Sequence, residues 1–226
     1  MCAIMGFSKK TLPKEAIGTY FDRTLSRGPD MSRIIETPSG YLCFHRLAIM
    51  GLTEAGMQPF QLGDDFVVCN GEIYGFRAIK RQLEEKGYSF RSGSDCEILL
   101  PLFREYGLSM FSRLDAEFAM IIYDSMSDSL IAARDPIGIR PLFSGYDSDG
   151  AIVFASEAKN LVGLCKEIFP FPPGHYYAFG KFVRYADLTT VKSYSTDDLE
   201  TVCKNIRTKL IAGVDKRLDA DAPLGF

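Results

Sequence analysis

Cys2 stands directly behind Met1 in the opening stretch "MCAIMGFS". Removal of Met1 would leave a terminal residue that carries a thiol and a free α-amine together. The amine then reaches the thiol proton directly or through one water, so one residue supplies both nucleophile and base. The two groups are matched for work near neutrality, the amine at ~7.7–8.0 and the thiol at ~8.5. The competing reading is a small apolar residue heading a strand, an ordinary place for a free cysteine.

Two further sets of residues suit acyl transfer. In "CNGEIYG", Asn70 offers a side-chain N–H2 and Gly71 a backbone N–H that other groups can approach closely, a pair of donors for an oxyanion. An Asn-Gly pair closing an apolar strand also reads as a hairpin turn, although "EIYG" leads toward a helix instead of a second strand. Arg46 in "FHRLAIMG" could clamp a carboxylate through two parallel hydrogen bonds, and Glu72 and Asp95 could receive an ammonium. Singly, each reads as a surface charge, and Asp95 as the N-cap of the helix after it. A thiol, an oxyanion pair, one cation and two anions together would suit an amide-bearing amino acid such as glutamine.

The elements that must position these groups are legible in the pattern. Apolar runs bounded by turn residues predict strands over residues 3–7, 31–37, 41–49, 66–70, 118–123, 130–134, 151–155 and 175–179. Helical spacing falls between them. "KEAIGTYFDRTLSRG" is closed by Gly28, "FRAIKRQLEEKG" aligns Phe76, Ile79 and Leu83, and "DCEILLPLFREYG" is expected to bend at Pro101. Val202, Ile206, Leu210, Val214 and Leu218 predict a long amphipathic helix near the end. Hairpin-paired strands with helices between them argue for an α+β layered architecture over a doubly wound parallel sheet.

Composition narrows the function classes. A chain of 226 residues fits one large domain, long enough to bury roughly 70–75% of its unfolded surface. Net charge is −3 with both signs interspersed, which offers no basic stripe for nucleic acid and no polybasic patch for a membrane. No apolar run approaches the ~20 residues that span a bilayer and no secretory signal is apparent, so a cytoplasmic location is expected. Six cysteines without a C-x-x-C pair suggest neither a zinc framework nor a redox dithiol. Two histidines, His45 and His175, are poor material for a metal site or a Ser-His-Asp triad.

With these residues in view, the chain resembles the N-terminal glutaminase domain of glutamine-hydrolysing asparagine synthetases, within the class II amidotransferases that use an N-terminal nucleophile. The matching stretches run in order: "MCAIMGF", "SRGPD", "HRLAI", "QPF", "NGEIY", "SDCEILL", "EFAMIIYD", "ARDPIGIRPLF", "FASEAKNL", "PPGHYY" and "DKRLDADAPLGF". The resemblance implies a four-layer αββα sandwich of two antiparallel sheets, forming a single glutaminase domain over residues 1–226. It implies Cys2 as nucleophile, Asn70 and Gly71 as oxyanion donors, and Arg27 and Gly28 as support for the catalytic residue. Arg46, Leu47, Ile49, Glu72 and Asp95 would bind the substrate.

No cofactor or metal is implied for this domain. ATP and Mg belong to a synthetase domain that normally follows and would receive the ammonia, in cis or in trans, and a homodimer is possible on the same ground. The chain reads as severed at the boundary of that synthetase domain. Two alternatives stand beside this reading: a non-catalytic domain that braces or regulates a synthetase, and an amidotransferase whose ammonia acceptor is not aspartate. The sequence departs from the family pattern at Ser26, where His often precedes "RGPD", and at Cys96, where Thr is common.

Overall fold

In β1 (Ala3–Phe7) every residue is buried, because both faces of the strand are covered. Ala3, Met5 and Phe7 pack with Ile17 and Phe21 of α1 (Lys14–Phe21), whereas Ile4 turns the other way and meets Leu42, Val68, Ile121 and Phe154. This is the period of two that a strand imposes on its side chains. The same alternation on β5 (Asp65–Ile73) sends Val68 between the sheets and Val67, Cys69 and Ile73 outward, onto α2 (Phe76–Glu85) and α3 (Leu99–Tyr106).

The structure is a computed structural model that describes residues 1–223 and 225. Around β1 lie β2 (Met31–Glu36), β3 (Tyr41–Arg46), β8 (Phe143–Tyr146), β9 (Ile152–Ala155) and β10 (Ile168–Pro170), in the order β10-β8-β9-β1-β3-β2. Around β5 lie β4 (Phe60–Leu62), β6 (Ala116–Asp124), β7 (Ser129–Arg134), β11 (His175–Ala178) and β12 (Lys181–Arg184), in the order β12-β11-β7-β6-β5-β4. Every strand pairing in both sheets is antiparallel. One outer layer is α1, the other α2 and α3, which gives the four-layer αββα arrangement.

Several local expectations differ from what forms. The expected strand over residues 41–49 ends at Arg46, because the amides beyond it serve other partners: Leu47 N–H points at the Cys2 sulfur and Ala48 N–H donates to Asp30 at 2.8 Å. The helix closed by Gly28 is α1 followed by a tighter 3-10 turn over Asp22–Arg27. There Thr24 Oγ1 and Asn160 Nδ2 donate to the Phe21 carbonyl, taking over an acceptor that the helix end leaves free. The helix expected to bend at Pro101 is a 3-10 turn over Asp95–Ile98 that passes into α3 two residues ahead of the proline, which stands in the first turn of α3. Asp95 is not a cap. Ser94 holds that position and accepts from Cys96 N–H at 3.3 Å.

The long helix α4 (Leu199–Arg217) forms as expected, with Asp198 capping it through Thr201 N–H. Its apolar stripe is open, however: none of its residues is buried, and Ile206 and Leu210 are 61% and 67% exposed. The sequence match in "APLGF" includes positions 224 and 226, which lie outside the described residues.

The contrast between the inter-sheet core and α4 is measurable. Phe154, fully buried and in aromatic contact with Phe171 and Tyr177, should cost about 3–5 kcal/mol when cut to Ala. Leu210→Ala should stay within about 0.5 kcal/mol. Denaturant unfolding of the two variants checks both values.

Candidate active site

Cys2 faces the side of the first sheet that Ile4 faces, toward the second sheet, and packs against the inter-sheet core. Opposite it, a cleft of about 470 Å³, open mouth included, is lined by Cys2, Arg46, Leu47, Ile49, Asn70, Gly71, Glu72 and Asp95. Eight residues that the sequence singled out for chemistry or binding thus share one wall system. Arg27 and Gly28 stand behind it.

The two donors arise from the register of β5. Asn70 and Gly71 lie inside this strand, opposite Ala119 and Phe118, so the hairpin-turn reading of Asn-Gly fails. The N–H and C=O of Phe118 both engage Asp135 on the far side, which makes Gly71 and Phe118 a non-hydrogen-bonded pair. The Gly71 N–H therefore points away from β6, as do those of Cys69 and Ile73. On that edge Cys69 N–H donates to Gln58 Oε1 at 2.6 Å and Ile73 N–H to Asp95 Oδ2 at 2.8 Å. Between them Gly71 N–H faces the cleft, with no strand beside it, since β4 pairs only with residues 65–67. Glycine is needed here because an added Cβ would lie 2.5 Å from the Glu117 carbonyl oxygen. Asn70 is 2% exposed, and its Nδ2 is buried without a hydrogen-bond partner. An orphaned buried donor is costly and calls for an explanation.

The thiol is held by one backbone unit. Leu47 N–H approaches Cys2 Sγ at 3.3 Å, and the thiol approaches the Leu47 carbonyl at 3.5 Å. Burial pushes the Cys2 thiol up, against the opposing pull of that N–H and of the nearby terminal amine. The Met1 terminal ammonium is shifted the other way: burial lowers it, Cys2 resists, and Arg27 and Arg140 add to the lowering. Burial likewise raises the carboxyls of Glu72 and Asp95, opposed by Arg140 for Glu72 and by backbone N–H groups for Asp95.

Arg46 does not stand free as a two-bond clamp. Its Nη1 donates to Thr53 O at 2.7 Å, and its Nη2 to Met50 O at 3.4 Å and to Gly51 O. The guanidinium thereby folds the loop of residues 47–56 around itself, with Gly56 required where a Cβ would lie 2.5 Å from Nη2. Arg27 holds the main chain of Cys2: Nε donates to Cys2 O at 3.0 Å and Nη1 pairs with Glu157 at 2.9 Å. Gly28 permits β3 to approach, since a Cβ would sit 2.4 Å from His45 O. Among the described residues no three His, Cys, Asp or Glu side chains are grouped to hold a metal ion.

A model of the glutamine amidotransferase domain matches residues 1–184. The chain belongs to that family. The chain is 35% identical over 239 residues to a probable glutamine-hydrolysing asparagine synthetase of Dictyostelium discoideum, covering 100% of this chain and 42% of that protein. It is 40% identical over 205 residues to one of Schizosaccharomyces pombe, covering 88% of this chain and 36% of that protein. It therefore spans about two fifths of the length of such relatives. Among solved structures, a glutamine phosphoribosylpyrophosphate amidotransferase from B. subtilis superposes with a TM-score of 0.65 at 22% identity, over 82% of this chain and 49% of that one. At that identity the likeness establishes the shared fold of two antiparallel sheets.

The amidotransferase site also contains residues that the sequence argument passed over. Arg140, 6% exposed, lines the cleft and pairs with Glu117 at 2.6 Å and Glu72 at 3.3 Å. Its loop is built on Asp135, whose carboxylate accepts from the N–H groups of Ile137, Gly138, Ile139 and Arg140. Gln58, Asp135, Arg140 and Glu157 all lie inside motif stretches already noted, "QPF", "ARDPIGIRPLF" and "FASEAKNL". The motifs gave a signal for them; their partners, mostly far along the chain, gave none. Among the described residues no helix is long and apolar enough to cross a membrane.

The raised Cys2 thiol keeps its proton to a higher pH than a free cysteine. Alkylation of Cys2 by iodoacetamide, read by peptide mass spectrometry, should therefore rise with pH around a midpoint above ~8.5. A midpoint at or below that value would contradict the dominance of burial.

Proposed function

We propose that this domain hydrolyses the side-chain amide of glutamine to glutamate and ammonia, with residues 1–226 acting as one unit. The observation that carries the reading is the unpartnered Asn70 Nδ2 beside the Gly71 N–H, both facing the cleft that Cys2 enters. With Met1 removed, the Cys2 α-amine takes the thiol proton as sulfur attacks the carboxamide carbon. The oxyanion is received by Asn70 and Gly71, and the amine returns the proton to the departing ammonia. A γ-glutamyl thioester remains, and water attacks it, passing a proton to the amine and releasing glutamate with the thiol restored.

Substrate recognition draws on the same walls. Glu72 and Asp95 take the α-ammonium, Leu47 and Ile49 line its approach, and Arg46 attracts the α-carboxylate. Arg46 does so with most of its N–H groups committed to the loop, so its charge and its Nε contribute more than a two-bond clamp would. Arg27 and Gly28 position the Cys2 main chain. The domain needs no cofactor for this reaction. Its ammonia would pass to an asparagine-synthetase-type partner, in cis or in trans, where ATP and Mg would act, and the assembly would work in the cytoplasm, a homodimer being one form of it.

Ammonia release from glutamine tests the reading, with intact-mass measurement confirming loss of Met1. Cys2→Ala should be inactive. Asn70→Ala should lower kcat by about 10²–10³ with little change in KM, the usual consequence of losing one oxyanion donor. Turnover of Cys2→Ala at the parent rate would overturn the proposal.

A further inference from the structure

The loop of residues 47–56 forms one lip of the cleft, through Leu47, Ile49, Met50 and Gly56. Beyond Arg46 it has no strand beside it, so what fixes residues 49–51 is whatever bonds their main chain. Arg46 grips the carbonyls of Met50 and Gly51 from within. The outer grip comes from a distant part of the chain. Asp221 Oδ2 accepts from Gly51 N–H at 2.7 Å, and the N–H groups of Asp221 and Ala222 both reach the Ile49 carbonyl at 3.1 Å. Two residues earlier, Asp219 pairs with Arg77 of α2, which anchors this segment to the body of the domain.

We propose that residues 219–222 form a strap that fixes the lip of the substrate cleft, with Asp221 as its positioning residue for glutamine. The inference rests on the glutaminase reading for its kinetic consequence, although the strap itself does not. Gly51 is the point of control. Its φ of +57° and its contact with Ser94, whose N would lie 2.7 Å from an added Cβ, leave little room for another conformation. Both its N–H and its C=O are taken, one by the strap and one by Arg46.

The segment also reaches the opposite wall. Arg217, in the last turn of α4, lies over the Tyr74 ring and comes within 4.0 Å of Glu117, which pairs with Arg140, and Arg140 with Glu72. The end of α4 and the stretch after it therefore brace the two sides of the cleft between them. Both lie beyond residue 184, where the match to the glutamine amidotransferase domain model stops.

The test uses the full chain with Met1 removed and compares Asp221→Ala with Asp221→Asn. Asp221→Ala should raise KM for glutamine about tenfold, the weight of one charge-assisted hydrogen bond, while kcat changes less than about twofold on the same argument. Asp221→Asn keeps an oxygen that can accept from Gly51 N–H and should recover most of the affinity. Hydrogen exchange supplies a readout independent of activity: in Asp221→Ala the Gly51 amide should exchange faster while the amides of β1 and β5 keep their protection. Parent-like KM and parent-like Gly51 exchange in Asp221→Ala would overturn the strap. Should the parent release no ammonia, the glutaminase reading falls, and the exchange result alone then upholds or overturns the strap.

Discussion

The site depends on an edge left unfinished. The β4 strand covers only three residues of β5, so beyond Val67 the N–H groups on that side of β5 have no strand to accept from them. A backbone donor left dry is costly, and the chain meets the need with side chains. Gln58 imitates a neighbouring strand, accepting from Cys69 N–H and donating to Cys69 O at 3.1 Å. Asp95 makes half of the same repair, accepting from Ile73 N–H. Gly71 falls between these two repairs, and its N–H is the one turned to the cleft. A free donor in the cleft therefore needs no dedicated device; it is what remains when a sheet edge is mended everywhere except at one residue.

Placement of the Cys2 thiol against that donor is a matter of sheet packing. Cys2 and Ile4 share one face of β1, Val68 and Asn70 share one face of β5, and these faces meet across the inter-sheet core. Neither group rides on a flexible loop. Sites carried by packed strands hold their geometry more tightly than sites on loops. Charges around the cleft are set with similar economy: the buried Asp135 carboxylate gathers the amides of residues 137–140, and this fixes where Arg140 stands between Glu72 and Glu117.

The sequence made much of this visible, and the gaps have physical causes. β1 and β6 were legible because strands covered on both faces read as unbroken apolar runs. Cys2, Asn70, Gly71, Arg46, Glu72 and Asp95 were legible as types suited to acyl transfer, and the cleft gathers all six. What could not be read was the service each group performs for the backbone. Asn-Gly carries the local signal of a turn, yet β6 pairs across it and keeps it extended. Asp95 looks like a cap because the partner that claims its carboxylate, Ile73, is 22 residues away. Arg46 looks like a free cation because nothing in "HRLAI" announces that the next ten residues will fold their carbonyls around it. Local spacing reports which groups are available and says little about which are already spent.

The order of the chain adds a constraint in time. β1 sits between β3 and β9, and Ile4 exchanges hydrogen bonds with Ser156, 152 residues onward, at 2.9 Å in both directions. Arg27, which holds the Cys2 carbonyl, is itself held by Glu157. Contacts so distant in sequence form slowly, so the wall of the cleft that Cys2 supplies is complete only once residues 156 and 157 have reached Ile4 and Arg27.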